Sequence, residues 1–456
     1  MFRHLLRGPD PLQRLIRGGF NICRPLKIIR IMIPALCLLM SAGLRPVIAE
    51  EEAAAEHFSA NLRVLSYGVA QGISNSSQNP DNNFLQLPDS EAILEFRPDL
   101  RLLYDPFEIS AKPRMVLSYS HVGEGIRNGD EESKDQIYMN EWLARWKARE
   151  NLYLSYGREN TQWGPSFLFS PSNPFFLDNG RRNPILEVPG MDFGRLVWIL
   201  QSDWTFSFIA NTDEGRNIII GPGPFERSYA LKLDYTGREN YASAILTYRE
   251  DGRESLGFFG GWTFSDAVLL YAEGAATRHD GILYPESDQS PLGISMVVRR
   301  SDFSPSLLLG GSYTFAGNGT LTLEGVYYAP GYSHSEAERY FELRQRAATA
   351  FGMTGPISDL GYKTLADTIN PGLRLLRRYY ALLQYTQTNI LNAIDLTLRW
   401  TQNIEDGSGQ FITYDTYSIR EHLELFVFGL CNLGRGNTEF GSILDWQAMI
   451  GLKFTL

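Results

Sequence analysis

The segment from Thr161 to Gly190 holds the residues whose types and spacing are best suited to selecting or binding a charged or polar molecule. It reads TQWGPSFLFSPSNPFFLDNGRRNPILEVPG, and its 30 positions include five prolines and several aromatic residues. Such a segment cannot be a simple turn, and a long ordered loop is usually functional. The candidate residues are charged or aromatic and lie within the segment or beside it: Arg158, Trp163, Asp178, Arg181, Arg182, Glu187 and Arg195.

No enzyme motif accompanies this segment. The sequence lacks the G-x-S-x-G elbow, the H-E-x-x-H metal motif, the P-loop and the dinucleotide fingerprint. The histidines after residue 49 have spacings that indicate neither a metal site nor a catalytic pair: His57, His121, His279, His334 and His422. We therefore predict a protein that is not an enzyme and that needs no cofactor and no metal.

The N-terminus has the three parts of a secretory signal. Basic residues precede the apolar segment from Ile31 to Met40, and a V-x-A site ends at Ala49. The apolar segment is too short to cross a bilayer as a helix. We predict that residues 1–49 are a signal peptide and that residues 50–456 form one barrel domain.

The mature chain is acidic. Removing residues 1–49 takes away eight of 42 basic and one of 52 acidic residues, which leaves 34 against 51 and a net charge of −17. A chain with this charge repels nucleic acid, so no nucleic-acid partner is expected. Only Cys431 remains of the three cysteines, and an internal disulfide is therefore excluded.

Alternation with a period of two is the main structural signal. Between residues 94 and 104, apolar positions such as Leu94, Phe96 and Leu102 alternate with Glu95 and Arg97. One face of such a strand suits lipid and the other suits water. After Ala49, no apolar run approaches the roughly 20 residues of a membrane helix. Any membrane crossing must therefore use strands.

The chain ends on a strand that alternates from Trp446 to Leu456, and aromatic residues flank many other strands. This last strand resembles the closing strand of Gram-negative outer-membrane barrels, although that family usually ends on Phe or Trp. The resemblance implies an outer-membrane location, contact with outer-membrane lipid and lipopolysaccharide, and insertion by the barrel-assembly machinery. We predict an all-β fold, a transmembrane antiparallel β-barrel of 16 or 18 strands.

The region 329–372 interrupts the strand pattern. Ser335 and Glu338 have the spacing of a capping box, and Gly352 could end a helix there. A partly helical insertion is expected, and the sequence leaves open whether it plugs the lumen. The sequence also leaves open whether residues 292–315 form one strand or two.

The segment 161–190 is the third outer connection of the predicted barrel, and in this position it resembles the lumen-narrowing third loop of porins. The resemblance implies that Asp178, Arg181, Arg182 and Glu187 form a constriction, faced by Arg158 and Arg195 on the flanking strands. Charges around a constriction select permeants by sign. In the alternative interpretation, these charges only solvate a loop that faces outward.

A second, narrower resemblance covers Gly157 to Asn173, where Gly-Arg, Trp-Gly-Pro and Ser/Asn follow in order. This order is similar to a segment of the outer-membrane barrels that anchor capsular polysaccharide. An exposed Trp163 could stack on a sugar face there, although loop packing is the more frequent role of such a tryptophan. The leading hypothesis is thus a porin-like channel for passive diffusion of small hydrophilic solutes, and the alternative is a barrel that binds or helps export a surface polysaccharide.

Overall fold

The computed structural model describes residues 57–176, 179–217, 223–299 and 303–456. The predicted signal peptide lies outside these residues. The described chain contains twenty strands and two α-helices. The strands are β1 (Phe58–Ile73), β2 (Ser90–Tyr104), β3 (Phe107–Val122), β4 (Asp130–Arg149), β5 (Leu152–Glu159), β6 (Met191–Gln201), β7 (Trp204–Asp213), β8 (Ser228–Thr236), β9 (Asn240–Arg249), β10 (Glu254–Ser265), β11 (Val268–Arg278), β12 (Leu283–Ser287), β13 (Ile294–Val298), β14 (Ser304–Thr314), β15 (Gly319–Tyr328), β16 (Tyr379–Ile390), β17 (Ile394–Asn403), β18 (Gly409–Arg420), β19 (Leu423–Leu433) and β20 (Leu444–Thr455). The helices are α1 (His334–Phe351) and α2 (Pro356–Ile369).

Eighteen of these strands form one closed antiparallel sheet, and β12 and β13 form a separate hairpin. Each barrel strand pairs with the next one along the chain, and β20 returns to pair with β1. Beyond β20, Leu456 still exchanges two backbone hydrogen bonds with Leu62, at 3.0 and 2.9 Å. The structure confirms the all-β barrel and selects 18 from the two predicted strand numbers.

The period of two in the sequence places polar residues inside the barrel. On β2, Glu95 and Arg97 are buried on the inner face, whereas Leu102 and Tyr104 are 42% and 65% exposed on the outer face. Large apolar residues are exposed on the outside of many other strands, for example Leu246, Leu309 and Leu323. This apolar outer surface is the one that a lipid bilayer requires.

Exposed aromatic residues lie in two belts around the barrel. Short turns connect the strands at one end, here called the turn end, and most connections at the opposite loop end are longer. The belt at the turn end includes Tyr104, Trp146, Trp198, Trp204 and Trp262, and the belt at the loop end includes Tyr156, Tyr248, Tyr327, Tyr379 and Trp446. Their amphipathic rings suit the two interfaces between membrane and water.

The insertion before β16 is helical, as expected, but its helix begins earlier than predicted. Ser333, and not Ser335, is the N-cap of α1, and Glu336, rather than Glu338, accepts hydrogen bonds from the Ser333 backbone and hydroxyl at 2.8 and 2.7 Å. Both pairs have capping-box spacing, so spacing alone could not choose between them. Gly352 ends α1 as predicted, and the sequence analysis did not predict α2.

A cap of packed loops covers the loop end of the barrel. It consists of α1, α2, the β12–β13 hairpin and the loop after β1. Its apolar core is made of side chains from all four parts: Phe84, Leu292, Ile294, Leu343, Ala347, Ala350 and Leu365. The segment 292–315 thus contains two strands, of which one belongs to the cap and the other to the barrel wall.

Candidate functional site: the third loop in the lumen

The third loop, residues 160–190 between β5 and β6, runs through the lumen instead of extending outward. Its strongest anchor is Glu273, which projects inward from β11 and is fully buried. The carboxylate accepts hydrogen bonds from the hydroxyls of Ser166 at 2.7 Å, Ser172 at 2.6 Å and Ser170. A buried carboxylate requires such donors. Glu273 therefore fixes the first half of the loop to the wall.

Gly164 lets the loop approach this carboxylate. Its φ of +86° is accessible to glycine at little cost, and a Cβ at this position would lie 2.3 Å from Glu273 Oε2. Another side chain would therefore clash with the anchor. The glycine of the Trp-Gly-Pro motif thus allows the loop to pack closely against Glu273.

A second inward carboxylate, Glu324 on β15, receives the loop backbone. The amides of Phe167 and Leu168 donate to its two oxygens at 2.7 and 3.0 Å, and the Tyr271 hydroxyl donates to it at 2.7 Å. These bonds satisfy loop amides that cannot be satisfied by regular secondary structure. The first half of the loop is thus held by two wall carboxylates.

Apolar side chains of the loop pack on three sections of the wall. Phe175 and Phe176 pack in a cluster with Phe193. Phe169 packs with Tyr271 of β11 and with residues of β14 to β16. Further along the loop, Ile185 packs against inward side chains of β1, β18, β19 and β20, where the barrel closes: Leu65, Tyr67, Ile412, Phe426, Phe428 and Met449. The loop therefore contacts the wall around most of the circumference.

Arg181 stabilises the loop itself. Its guanidinium donates to the backbone oxygens of Pro165, Ser166 and Gly164 at 2.6, 2.7 and 3.1 Å. Arg399 on β17 donates to the Arg181 carbonyl at 2.9 Å. Arg182 is exposed beside them. The structure thus brings Arg181 and Arg182 into the lumen, next to a wall arginine that the sequence analysis missed.

Glu187 clamps the end of the loop to β1, β2 and β3. Arg114 donates to its carboxylate at 2.6 and 2.9 Å, and Arg63 and Arg97 lie 3.6 and 4.0 Å away. Burial alone would raise the pKa of this carboxyl, but the Arg114 hydrogen bonds and the arginine charges outweigh it and hold the pKa below its ordinary value. Glu187 is therefore an ionised residue of the lumen, and its role in a constriction stays a prediction.

Trp163 lies inside the barrel and is not exposed on the outer surface. Its ring packs edge-to-face on Phe175 with centroids 5.8 Å apart, and the Lys232 ammonium lies 5.6 Å from its ring centroid. Its indole nitrogen is buried and has no hydrogen-bond partner among the described residues. Trp163 is thus half-buried in contacts with the loop and the wall, as in the loop-packing alternative, and not exposed for stacking on a sugar.

The two flanking arginines have different positions. Arg195 shares the inner face of β6 with the fully buried Phe193 and pairs with Glu159 at 3.1 Å. Arg158 shares the outer face of β5 with the exposed Tyr156 and pairs with Asp192 at 2.6 Å. Arg158 therefore does not face the lumen, contrary to its prediction. Asp178 lies outside the described residues.

The sequence analysis missed the wall residues that hold the loop: Arg114, Glu273, Glu324 and Arg399. Each is a charged residue on the polar face of a predicted strand. Alternation could have assigned them to the lumen. It could not have shown which strand faces which part of the loop.

The closed barrel, its apolar outer surface and its aromatic belts define the class of outer-membrane β-barrels. Among the described residues, no helix is long and apolar enough to cross a membrane. The solved structures similar to this chain belong to the same class. OccK1 (OpdK) of Pseudomonas aeruginosa is 9% identical with a TM-score of 0.52, and the match covers 88% of this chain and 99% of that one.

Two further structures give similar values. The outer membrane protein OprD from Pseudomonas aeruginosa is 8% identical with a TM-score of 0.52, covering 90% of this chain and 96% of that one. OccK7 (OpdD) of the same organism is 11% identical with a TM-score of 0.51, covering 88% and 98%. At such identities the likeness establishes the fold alone, a closed antiparallel barrel. No protein-family model and no curated protein sequence matches the chain.

Proposed function

We propose that the protein is a channel for passive diffusion of small hydrophilic solutes across the outer membrane. The observation that carries this proposal is the third loop inside the lumen, where it narrows the space between the walls. Toward the turn end, inward side chains are more accessible, as for Arg101 and Arg145 at 50% and 38% exposure. A wide vestibule below a narrow segment is a suitable arrangement for a diffusion channel.

The charges near the loop would set the preference of the channel. Arg182 is exposed beside Arg181 and Arg399, and the opposite wall carries Arg195 and Lys232. Arg182 is exposed, whereas Arg181 is half-buried. We therefore expect a preference for anions despite the acidic total charge, because local charges dominate at a constriction.

Planar-bilayer recording tests the channel directly. The wild-type protein should give stepwise conductance, and Glu273→Ala should increase it because the loop loses its main anchor. Glu254→Ala is the matched control, since Glu254 is 55% exposed on the outer face of β10. If neither the wild type nor Glu273→Ala conducts, the channel proposal is wrong.

A polysaccharide-binding barrel is the second candidate, and two observations favour it. The third loop packs against most of the wall, which suits a closed lumen. In addition, an outer cavity of about 670 Å³ lies between α1 and the loops before β18 and β20, with a polar and charged lining that includes His334, Glu338, Asp406, Arg435 and Asn437. Polar groups in a concave surface suit a sugar chain.

Surface-polysaccharide retention separates this candidate from the channel. Replacing Asn437 and Arg435 by alanine should release polysaccharide from cells if the outer cavity holds it. Trp163→Phe, which changes a lumen residue, is the control and should retain it. Unchanged retention in the Asn437 and Arg435 variants would exclude binding at this cavity.

A further inference from the structure

A second cavity lies between the third loop and the two ends of the insertion that precedes β16. Its volume is about 130 Å³, and the parts that enclose it include Phe169 and Pro174 of the third loop, Phe225 of the next loop and Pro330 of the insertion. On the same scale one water molecule needs roughly 10–15 Å³, so the space holds a group of several heavy atoms. We call it the interlayer cavity.

Arg374 reaches the interlayer cavity from the insertion. Its guanidinium donates to the backbone oxygens of Ser170 and Asn173 in the third loop. Among the ion pairs of the described residues, none within 4.0 Å involves Arg374. Burial lowers the pKa of this guanidinium, which is the direction expected for a cation that lacks sufficient compensation.

Two further arginines line the same cavity from the β9–β10 connection. Arg253 donates to the His279 carbonyl at 3.2 Å, and burial lowers its pKa to about 10. Arg249 is held by Asp251 at 2.8 Å, and its Nε atom is buried with no hydrogen-bond partner among the described residues. Three arginines thus line one small, partly open cavity.

Carboxylates compensate this charge in part. Asp251 lies 2.8 Å from Arg249 and 4.0 Å from Arg253, so Arg374 is the arginine of the three that has no ion pair within 4.0 Å among the described residues. Two carboxylates, Glu226 and Asp280, line the cavity, and Asp280 already accepts hydrogen bonds from the Ser304 hydroxyl and the Ile282 amide. The other polar lining residues include hydroxyl donors: Ser228, Ser255, Thr277 and Ser306. Partly buried guanidinium groups are stabilised by a paired anion, and they fit the geometry of oxyanions.

We propose that the interlayer cavity binds a small oxyanion of the phosphate, sulfate or carboxylate type between Arg374 and the pair Arg249 and Arg253. The bound anion joins the insertion to the β9–β10 connection across the top of the third loop. Anion binding at this site does not require that the barrel conducts. Its occupancy stabilises the folded state by mass action.

Thermal unfolding of the detergent-solubilised protein tests the proposal. The unfolding midpoint, read from heat-dependent gel mobility, should rise with phosphate and saturate when sodium chloride keeps the ionic strength constant. Arg374→Gln and Arg253→Gln should each raise the half-saturating phosphate concentration about tenfold or more. This is the loss of affinity expected for one charge-assisted hydrogen bond. Arg278→Gln is the control, since Arg278 is 54% exposed and does not line the cavity.

A crystallographic measurement on the wild-type protein tests the site even if the variants fail to fold. Wild-type crystals soaked in sodium bromide should show an anomalous peak within the interlayer cavity. An equal phosphate response in the cavity variants and in Arg278→Gln would indicate a general salt effect and overturn the proposal. A midpoint that does not respond to phosphate, together with a cavity without bromide, would also overturn it.

Discussion

The third loop and the cap fill the same end of the barrel but are held by different forces. The described residues of the loop form no helix or strand, and buried carboxylates of the wall accept hydrogen bonds from its hydroxyls and amides. The cap contains two helices and a hairpin, and a continuous apolar cluster joins them. Polar anchoring is directional and sensitive to charge, whereas apolar packing depends on shape and volume.

This difference indicates which region can respond to conditions. A loop held by ionisable groups can change its position with pH or ligand, while a cap with a packed core behaves as a rigid cover. Substitutions in each region should therefore act locally and by different mechanisms. Four variants test this comparison.

Glu273→Ala should have the largest effect. It leaves the Ser170 and Ser172 hydroxyls without their acceptor, whereas Ser166 keeps the Phe169 carbonyl at 2.6 Å, and each buried unsatisfied group costs about 1–3 kcal/mol. We expect the third loop to lose about 4 kcal/mol of local stability. Hydrogen exchange of the amides between residues 166 and 173 measures this loss, with Glu254→Ala as the control. Unchanged exchange would show that the loop does not depend on this anchor.

Leu343→Ala should destabilise the cap by about 3 kcal/mol, because it removes a fully buried side chain from the apolar cluster. Exchange in α2 should accelerate while the barrel strands stay protected. Leu391→Ala is the control, since Leu391 is 86% exposed in a turn. Simultaneous loss of protection in the barrel would contradict the separation of the two regions.

Glu187→Gln should cost the loop about 2 kcal/mol, since it weakens the charged hydrogen bonds from Arg114. The folded-state pKa of Glu187 lies below the unfolded value, so its stabilisation is complete above the unfolded pKa and is lost as the pH falls through the folded one. Acid should therefore loosen the wild-type loop, and the Gln variant should respond less.

A fluorescent label measures this response. It is attached at Leu186→Cys, a half-exposed position next to Glu187, after Cys431 has been replaced by serine. Glu424→Gln is the matched control, because its carboxylate pairs with Lys453 at 2.8 Å in the wall and does not contact the loop. If the label fluorescence changes with pH in the same way in the wild type and in Glu187→Gln, the Glu187–Arg114 contact does not hold the loop.

Ser333→Ala should have the smallest effect, about 1 kcal/mol, because it removes one hydroxyl of the capping box of α1. The start of α1 should exchange faster, and the third loop should not change. Ser335→Ala is the control, since it tests the residue that the sequence pattern favoured. An equal effect of both variants would contradict the observed helix start.

The fold could be predicted from the sequence because each barrel strand carries its own alternating signal. The strand from Leu94 to Tyr104 and the closing strand from Trp446 need no knowledge of distant residues to be recognised. The second helix and the hairpin in the cap were missed, because their apolar residues serve contacts between loops and follow no strand period. Local pattern therefore predicts the wall better than the cap.

The candidate site was predicted less completely. The structure places the third loop in the lumen with Arg181, Arg182, Glu187 and Arg195, and their role in a constriction stays a prediction. Arg158 was assigned to the wrong face of β5. Successive residues of a strand face opposite sides, so an error of one residue in the alternation reverses the assignment. The wall anchors could not be predicted, since their partners depend on how the loop crosses the barrel.

The anchors of the third loop are far away in the sequence. Ser166 and Glu273 are separated by 107 positions, Phe167 and Glu324 by 157, and Arg181 and Arg399 by 218. Contacts of such high order form slowly because the intervening chain must be ordered first. The loop can therefore form these contacts only late in folding, after the strands from β11 to β17 have paired. Until then its serines and amides remain hydrated, so filling the lumen becomes one of the last steps by which the barrel matures.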